Sequence, residues 1–520
     1  MCKRALLWTI LVTSILVISV PDSAQETALG LRVVFEAKHT ISSPLRDMAR
    51  PAASTAAAQM LPRLSTGLAI TSSQPGPVAQ APSGSAPPIS ALLNFQGQSS
   101  NHPVPPDTNL SVGTAQVVQI VNVTFAVYDK KKGALLLGPS LIHTIFTALG
   151  GLCGTTDGGD PVVLFDKLAG RWFVSQLAYN SSFTDNHACI AVSTSSDATG
   201  TYNVYDFPFG SNRFPDYPKY AVWPDAYYGT FNIFGGGKAR SFFGARACAF
   251  DRTRMLNGQA AITICFQQPH TITSLLPSDL EGATLPPTGA PNFMLSLADS
   301  TNLNFFTFHA DFSDPSSSEF TGPMLIPVAS FSEICASTLA CIPEPSPGEA
   351  LDAISDRLMF RLAYRNFGDH EPLVVNHTVA GGALAGVRWY EIRNPSISPI
   401  VFQQGTVVHP NIDFWMGSIA MDHIGNIAAG FSASSTSLDP SVFLVGRVPG
   451  DLLGTMQGPT VAVSGTGVQE QSFNRWGDYS SMSVDPSDDC TLWYTQEYYK
   501  VSGIRNWTTR ITAFRFNTCS

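Results

Sequence analysis

Charged residues are scarce in this sequence, since Asp, Glu, Lys and Arg together make up 13% of its 520 residues, whereas about a quarter is typical of a globular protein. The net charge is −9 and the isoelectric point is near 5.5. This balance argues against nucleic acid or an anionic membrane surface as the main partner. Aromatic residues, Gly and Pro are plentiful, and together with low charge they indicate an all-β extracellular protein.

Several catalytic motifs are also absent. The sequence contains no G-x-S-x-G elbow, no H-E-x-x-H pair and no C-x-x-C. The glycine run before Lys238 lacks the Ser or Thr that a phosphate-binding loop requires. These absences exclude the commonest signatures of serine hydrolases, zinc peptidases and nucleotide-binding loops.

Long apolar runs are absent except at the N-terminus. Lys3 and Arg4 precede an apolar run that ends at Val20, and Ala24 offers a cleavage point. The sequence therefore predicts a signal peptide over residues 1–24 and a secreted or periplasmic protein. Asp22 fits poorly before that cut, so an uncleaved anchor stays open. No later segment is long and apolar enough to span a bilayer.

Residues 25–88 are rich in Ala, Ser, Pro and Gln and hold few large apolar residues beyond Leu31 to Phe35. This composition predicts a poorly ordered leader. The folded domain is expected over residues 89–520.

Nine cysteines are present, and eight remain when Cys2, which precedes the apolar run, is set aside. An even number in an oxidising compartment predicts structural disulfides. Pairing by proximity, which suits a repeat protein whose units contact mainly themselves, gives Cys153 with Cys189, Cys248 with Cys265, Cys335 with Cys341, and Cys490 with Cys519.

A repeat begins at Asp107. An acidic residue or a glycine stands just before an apolar strand at Asp107, Asp160, Asp216, Asp356, Gly417 and Asp478. The gap between Asp216 and Asp356 is about twice the others, and a missing start is expected near Asn292-Phe293. Each unit reads as short strands of period two separated by turns. The sequence therefore predicts seven units of a seven-bladed β-propeller.

The last unit is expected to be completed from the N-terminal side. After Asp478 only three strands precede the last residue, and propellers avoid a raw edge by closing the ring. We therefore expect a strand near Leu92 to Phe95 to supply the fourth strand of the last blade.

Three motifs carry a family resemblance: DTNLSVG from Asp107, D-x-x-x-x-R-W from Asp166 to Trp172, and R-W-G-D-Y-S from Arg475. They resemble those of secreted bacterial propeller proteins of unassigned function. The turn from Ser487 to Trp493 is similar to the Asp-box of sialidase-like propellers, although it lacks the glycine of that box. The resemblance implies the fold and no activity, because the sialidase catalytic set is not matched.

The strand-start carboxylates are the sharpest candidate site: Asp107, Asp160, Asp216, Asp356 and Asp478. Positions that lead into innermost strands surround the central opening of a propeller. A ring of carboxylates there could bind Ca²⁺ or sugar hydroxyls, or supply the acid and base of glycoside cleavage. Alternatively, each aspartate caps its own turn or bonds a neighbouring backbone.

Aromatic and charged residues surround Asp478. Arg475, Trp476 and Tyr479 are close in sequence, and Trp415 stands at the matching place one unit earlier. Aromatic faces beside a charge commonly hold sugars. The competing interpretation is packing between blades, where large aromatic residues supply buried area.

Asp369, His370 and Glu371 form a second, weaker candidate for acid–base chemistry or a metal site. A solvated polar turn explains the same three residues. Glu497 ends a strand of the last unit, where an exposed position is the simplest interpretation.

Two classes of function follow. The first is a monomeric secreted propeller that binds a glycan or another extracellular ligand at its central opening. The second is a carbohydrate-active hydrolase or lyase that uses Asp478, Asp356, His370 or Glu371. An extracellular protein-interaction scaffold is a third possibility, and the fold alone does not choose between them.

Overall fold

The computed structural model describes residues 32–48, 66, 79–80, 87, 89–100, 103–235, 241–471 and 474–519. The predicted signal peptide and most of the predicted leader lie outside the described residues. Among the described residues, no helix is long and apolar enough to cross a membrane.

The structure is all-β and consists of seven consecutive antiparallel units. The strands of the first four units are, in order, Asn109–Val112, Gln116–Val121, Thr124–Asp129 and Leu135–Leu141; Val162–Asp166, Arg171–Tyr179, Asn186–Ser193 and Tyr202–Pro208; Arg213–Val222, Tyr227–Gly235, Phe242–Phe250 and Ile262–Gln267; and Leu276–Leu280, Asn292–Asp299, Asn302–His309 and Glu319–Pro327. The strands of the last three are Met359–Tyr364, Pro372–Ala380, Ala385–Arg393 and Ile400–Val407; Asp413–Met421, Ile427–Ser435, Leu438–Arg447 and Gln457–Val463; and Ser481–Val484, Leu492–Tyr499 and Trp507–Phe516.

Several short elements accompany these strands. They include the helices His143–Phe146 and Arg252–Leu256, the 3₁₀ turns Leu45–Asp47, Thr147–Leu149 and Pro315–Ser317, and the strand pair Ala340–Ile342 and Leu351–Asp352. The first strands of the fourth and fifth units pair in parallel, and Ala79–Gln80 adds to Ile400–Val407, so these two units share one nine-stranded sheet.

The turn after a first strand is set by an aspartate. Asp166 ends the first strand of the second unit, and its carboxylate accepts hydrogen bonds from the backbone of Leu168 and Ala169, both at 3.1 Å. Asp422 and Asp485 bond their own turns in the same way. Aspartate side chains form such local bonds readily, so this repeated residue is structural.

The first strands of consecutive units contact each other in order, and the first strand of the seventh unit contacts that of the first. They are buried along almost their whole length, as the first strand of the second unit shows from Val162 to Asp166. Strands covered on both faces are almost continuously apolar, which matches the sequence VVLF. The first strands therefore form the inner layer of the molecule.

The strand Ile89–Ser99 pairs antiparallel with Trp507–Phe516 and is the fourth strand of the seventh sheet. The segment from Leu92 to Phe95 lies inside it, with Phe95 opposite Ile511. The ring of Phe95 also packs against Tyr128 of the first unit, with 5.5 Å between ring centroids.

Part of the predicted leader is folded. Arg32–Glu36 pairs with Ile262–Gln267, and Lys38–Ile41 pairs with Tyr202–Pro208. These strands cover the outer edges of the third and second units, and covering an edge protects it from unwanted pairing. The expectation of a poorly ordered leader is wrong for residues 32–48, because a composition averaged over residues 25–88 hides a short apolar segment.

The start of the fourth unit also differs from the prediction near Asn292-Phe293. Its first strand is Leu276–Leu280, and Asn292–Asp299 is the second. The first strand reads LPSDL, so Pro277 and two polar residues conceal its apolar pattern. The side chain of Asn292 donates to the carbonyl of Ser278 at 2.7 Å and accepts from its N–H at 3.2 Å.

All four predicted disulfides are confirmed. They are Cys153–Cys189, Cys248–Cys265, Cys335–Cys341 and Cys490–Cys519. Each lies within one unit or in the segment beside it, so pairing by proximity holds for this chain.

Candidate functional site

Polar side chains converge where the first strands of several units begin. We call this set the central cluster; it comprises Asp107, Asp160, Asp216, Asp478, Lys219, Arg357 and Arg475, together with Tyr217 and Tyr479. Asp107 and Asp160 stand just before their strands with φ of 47° and 50°, a left-handed conformation that Asp tolerates better than most residues. Asp216 lies inside Arg213–Val222, where the pairing register shifts between Asp216 and Lys219. Such a bulge re-aims side chains.

A closed circuit of hydrogen bonds joins the seventh, first, second and third units. The carboxylate of Asp107 accepts from the backbone N–H of Asp478 at 2.8 Å and from Asn122 Nδ2 at 2.7 Å. Asn122 Oδ1 accepts from the N–H of Asp160 at 2.9 Å, and Asp160 Oδ2 accepts from the N–H of Tyr217 at 3.0 Å. The hydroxyl of Tyr217 donates to the carbonyl of Asp478 at 3.2 Å. The aspartates therefore tie neighbouring backbones together, as the structural interpretation expects.

Lys219 is a buried cation that sequence analysis missed. Its Nζ lies 3.4 Å from the ring centroid of Tyr217 and 4.2 Å from that of Tyr479. It also donates to the carbonyl of Pro218 at 2.9 Å. Two aromatic rings around a desolvated ammonium stabilise it through their quadrupoles.

Two arginines complete the cluster. Arg357 binds both carboxylate oxygens of Asp356 at 2.9 and 3.0 Å, and its guanidinium carbon lies 4.5 Å from the ring centroid of Tyr217. Arg475 forms an ion pair with Asp478 and another with Asp352, the latter at 3.1 Å. Asp356 is thus held by its own neighbour Arg357, whereas Asp478 shares Arg475 with a buried carboxylate.

Burial shifts the acid–base behaviour of the cluster. Desolvation, followed by the charges of neighbouring carboxylates, raises the pKa of Asp160 to about 7 and that of Asp216 to about 7. The same causes raise the pKa of Asp107 well above its usual value. Desolvation lowers the pKa of Lys219 to about 7. The cluster therefore holds both acids and a base that exchange protons near neutral pH.

Only part of the cluster is accessible. Asp107, Asp160 and Lys219 are buried, whereas the side chain of Asp478 is 17% exposed. The side chain of Asp356, which pairs with Arg357 of the cluster, is 15% exposed. Asp216 is half-buried, and its carboxylate accepts no hydrogen bond from the described part of the chain. Asp216 is therefore the member of the cluster whose carboxylate has unused acceptor capacity.

Glu497 adds a buried carboxyl group beneath the cluster. It is 1% exposed, and neither side-chain oxygen has a hydrogen-bond partner among the described residues. Burial, followed by the charges of Asp107 and Asp352, raises its pKa well above its usual value. The simple expectation of an exposed strand end is wrong, because this residue pairs with Thr509 in the interior of the seventh sheet.

The aromatic residues near Asp478 are buried. Trp415 and Trp476 are each 0% exposed and lie 5.6 Å apart between ring centroids. Trp476 donates from Nε1 to Ser432 at 3.0 Å, and Tyr479 donates its hydroxyl to the carbonyl of Pro161 at 2.9 Å. A stacking platform for sugars does not fit this burial. These buried rings pack between units next to the central cluster.

His370 and Glu371 lie away from the central cluster. They follow the end of Met359–Tyr364, whereas Asp356 precedes its start, so the length of this strand separates them by roughly 17–20 Å. His370 pairs with Asp369 at 2.7 Å and stacks on Phe367. Glu371 accepts from the hydroxyl of Tyr364 at 2.5 Å and from Ser396 at 2.9 Å. These contacts describe a self-contained polar turn.

A second charged group was also missed from the sequence. It lines a small open pocket at the far ends of the first strands. Lys167 pairs with Glu281 at 2.9 Å, and Arg361 pairs with Glu281 and, at 3.2 Å, with Asp279. Desolvation, with nearby Arg365 and Arg361, lowers the pKa of Lys167 to about 7. The sequence signal was the run of charges in D-L-E and R-L-A-Y-R within a chain of low charge.

No three carboxylate oxygens from different residues of the central cluster lie within 4.8 Å of one another among the described residues. Ca²⁺ binding by the strand-start aspartates therefore stays a prediction.

Comparison with known proteins gives only distant likenesses. No protein-family model matches the sequence. No curated protein matches it either. Among solved structures, an α-L-arabinanase from Penicillium chrysogenum, complexed with arabinobiose, has 9% identity and a TM-score of 0.37, over 83% of this chain and 100% of that one. A polysaccharide lyase, Uly1, has 11% identity and a TM-score of 0.39 over 80% and 91% of the two chains. A sialidase from Trypanosoma rangeli has 13% identity and a TM-score of 0.31 over 69% and 54%. At these scores the likenesses do not indicate an activity.

Proposed function

We propose that the seven units are the blades of a closed seven-bladed β-propeller. Two observations support this: the first strands contact one another in a complete cycle, and Ile89–Ser99 fills the fourth place of the seventh sheet. A closed ring removes the exposed edges that a linear array would leave. The central cluster then lies at one end of the propeller axis.

On this frame, the protein binds a polyhydroxylated ligand, a glycan, at the central cluster. Asp216 carries the proposal, because this half-buried residue has unused acceptor capacity on its carboxylate and lies in the same cluster as the partly exposed Asp478. Sugar hydroxyls donate to carboxylates, and such charge-assisted hydrogen bonds are worth about 1.5–3 kcal/mol each. Recognition relies on hydrogen bonds, since the nearby tryptophans are covered. The four disulfides support an extracellular location, and a monomer is the proposed working form.

A carbohydrate-active enzyme is the second candidate. One specific observation favours it: burial and neighbouring carboxylates raise the pKa of Asp216 to about 7. A carboxyl group that is partly protonated at neutral pH can donate a proton to a glycosidic oxygen. Asp478, which pairs with Arg475, would then act as base or nucleophile.

A glycan array combined with a reducing-sugar assay tests both candidates. The proteins are wild type, Asp216→Asn, Asp478→Asn and the remote control Glu371→Gln. We expect wild type and Glu371→Gln to bind the same oligosaccharides and both cluster variants to bind at least tenfold more weakly. Sugar release by wild type that is lost in Asp216→Asn identifies the enzyme. Neither binding nor release on neutral and acidic glycans, or equal binding by Asp216→Asn, overturns the proposal.

A further inference from the structure

The partly exposed charged residues in and beside the central cluster are all acidic. Asp216 and Asp478 of the cluster are half-buried, and so is Asp356, which pairs with Arg357. The cations of the cluster are instead buried, namely Lys219, Arg357 and Arg475. A ligand that approaches the cluster therefore meets carboxyl groups rather than positive charges.

Carboxyl groups also outnumber cations in this region. Asp356 binds Arg357 through both of its oxygens, and Asp352 and Asp478 share Arg475. The third cation, Lys219, stands among further carboxyl groups, those of Asp107, Asp160 and Asp216. An added positive charge relieves the repulsion among carboxylates that lie close together, so the region favours a cationic ligand.

Glu497 is a further carboxyl group without a described partner. It is 1% exposed, and neither of its side-chain oxygens is hydrogen-bonded in the described part of the chain. A Cβ atom built on Gly477 would lie 2.9 Å from Glu497 Oε1, so this carboxyl group points at the backbone that joins Arg475 to Asp478. Burial, followed by the charges of Asp107 and Asp352, raises its pKa. A cation brought to the cluster makes its ionised form less costly.

We infer that the glycan bound at the central cluster carries a protonated primary amine, as an oligosaccharide of amino sugars does; this inference rests on the proposed function. An ammonium group offers three N–H donors and no acceptor, which suits a site whose accessible charged groups are carboxylates. The carboxylate of Asp216 accepts no hydrogen bond from the described chain and takes the ammonium group. Asp478 adds a second, partly exposed carboxylate.

Other ligand chemistries fit this lining less well. A sugar hydroxyl donates to Asp216 but brings no charge to the excess of carboxyl groups. An acidic sugar adds a further negative charge, and an N-acetylated sugar has lost both the charge and two of the three donors. Ca²⁺ needs several oxygens gathered around it, whereas no three carboxylate oxygens of the cluster lie within 4.8 Å of one another among the described residues.

The test is an array of neutral, acidic, N-acetylated and free-amine oligosaccharides, in which the hydroxyl, acetamide and amine forms share one backbone. Binding is measured at about pH 6, where such an amine is protonated, and at physiological ionic strength, which screens non-specific attraction. We expect wild type to bind the free-amine forms at least about tenfold more tightly than their hydroxyl and acetamide counterparts. Asp216→Asn should remove most of this preference, and the remote control Glu371→Gln should keep it.

A competition experiment on wild type does not depend on the folding of a variant. Glucosamine should displace the bound oligosaccharide, whereas glucose and N-acetylglucosamine at the same concentration should not. Binding that is confined to neutral or acidic glycans, or competition by all three monosaccharides alike, overturns this inference and leaves the proposed glycan site standing. An amine preference that is equal in wild type, Asp216→Asn and Glu371→Gln also overturns it, because attraction to the net charge then explains the binding. Binding to no glycan of any class overturns the proposed function as well.

Discussion

The carboxylate of Asp107 accepts a hydrogen bond from the backbone N–H of Asp478 at 2.8 Å, although the two residues are 371 positions apart in the sequence. The bond links the first unit to the seventh. Asp478 also forms an ion pair with Arg475. One carboxylate thus links the first and seventh units and also takes part in the arrangement of the candidate site.

Asp107→Ala should lower the free energy of unfolding by about 2–4 kcal/mol, because it leaves the backbone N–H of Asp478 and one of the two N–H groups of Asn122 Nδ2 without an acceptor. Urea denaturation followed by tryptophan fluorescence measures this loss. The exposed Asp369 provides the control, since Asp369→Ala should leave the free energy of unfolding close to that of wild type. Equal effects of the two substitutions would contradict the structural role of Asp107.

The stability should depend on pH through Asp160 and Lys219. Because the folded protein raises the pKa of Asp160 to about 7, it binds more protons than the unfolded chain between about pH 4 and pH 7. Stability from this group therefore falls as pH rises through that window, by up to about 1.4 kcal/mol per pH unit. Lys219, whose pKa is lowered to about 7, has the opposite sign, and its contribution grows from pH 7 towards its usual value near 10.5.

Denaturation curves at successive pH values check this. Asp160→Asn should flatten the decline between pH 4 and pH 7, and Lys219→Met should flatten the rise above pH 7. Since the two groups interact, the two single variants and the double variant are measured together. Unchanged slopes in both single variants would show that neither group titrates as its burial requires.

Substitutions of Trp476 distinguish a role in packing from a role in stacking against a ligand. Trp476→Ala should destabilise the protein by about 3–5 kcal/mol, because it empties a fully buried site beside Trp415 and Tyr499. Trp476→Phe should keep most of the stability and leave glycan binding within about twofold of wild type. A large loss of glycan binding in the phenylalanine variant, with its stability intact, would show that Trp476 contacts the ligand and would contradict a role in packing alone.

The disulfides should differ in their contribution. Removal of Cys153–Cys189 as a double alanine variant should cost about 4 kcal/mol, and removal of Cys335–Cys341 about 2 kcal/mol, since the separations are 36 and 6 residues and longer loops gain more from a cross-link. Chemical denaturation of the two variants gives the comparison. The reverse order would mean that loop closure does not govern these bonds.

The sequence was most informative where a feature is local. The turn aspartates Asp166, Asp422 and Asp485 and the four cysteine pairs follow from neighbouring residues alone, and the strand Ile89–Ser99 follows from counting the strands of the last unit. The two strands between Arg32 and Ile41 were not predicted, because their few apolar residues lie within a leader of low complexity.

The site was less predictable. Asp107, Asp160, Asp216 and Asp478 could be singled out one by one, but the circuit through Asn122 and Tyr217 depends on how consecutive units are rotated against each other. Lys219 was missed, and Glu497 was assigned to an exposed strand end, because buried charges are rare and a charge in a strand is normally assigned to the surface. The period of a strand also does not say which face is covered, so the sequence left open whether Trp476 holds a sugar or packs between units.

The most direct test of the proposed ligand site is the dissociation constant of the best array oligosaccharide, measured by calorimetry for wild type and Asp216→Asn. The carboxylate of Asp216 accepts no hydrogen bond in the described part of the chain, and burial penalises its charged form. We therefore expect at least tenfold weaker binding by Asp216→Asn with no decrease in its unfolding midpoint. Equal dissociation constants would contradict a glycan site at the central cluster.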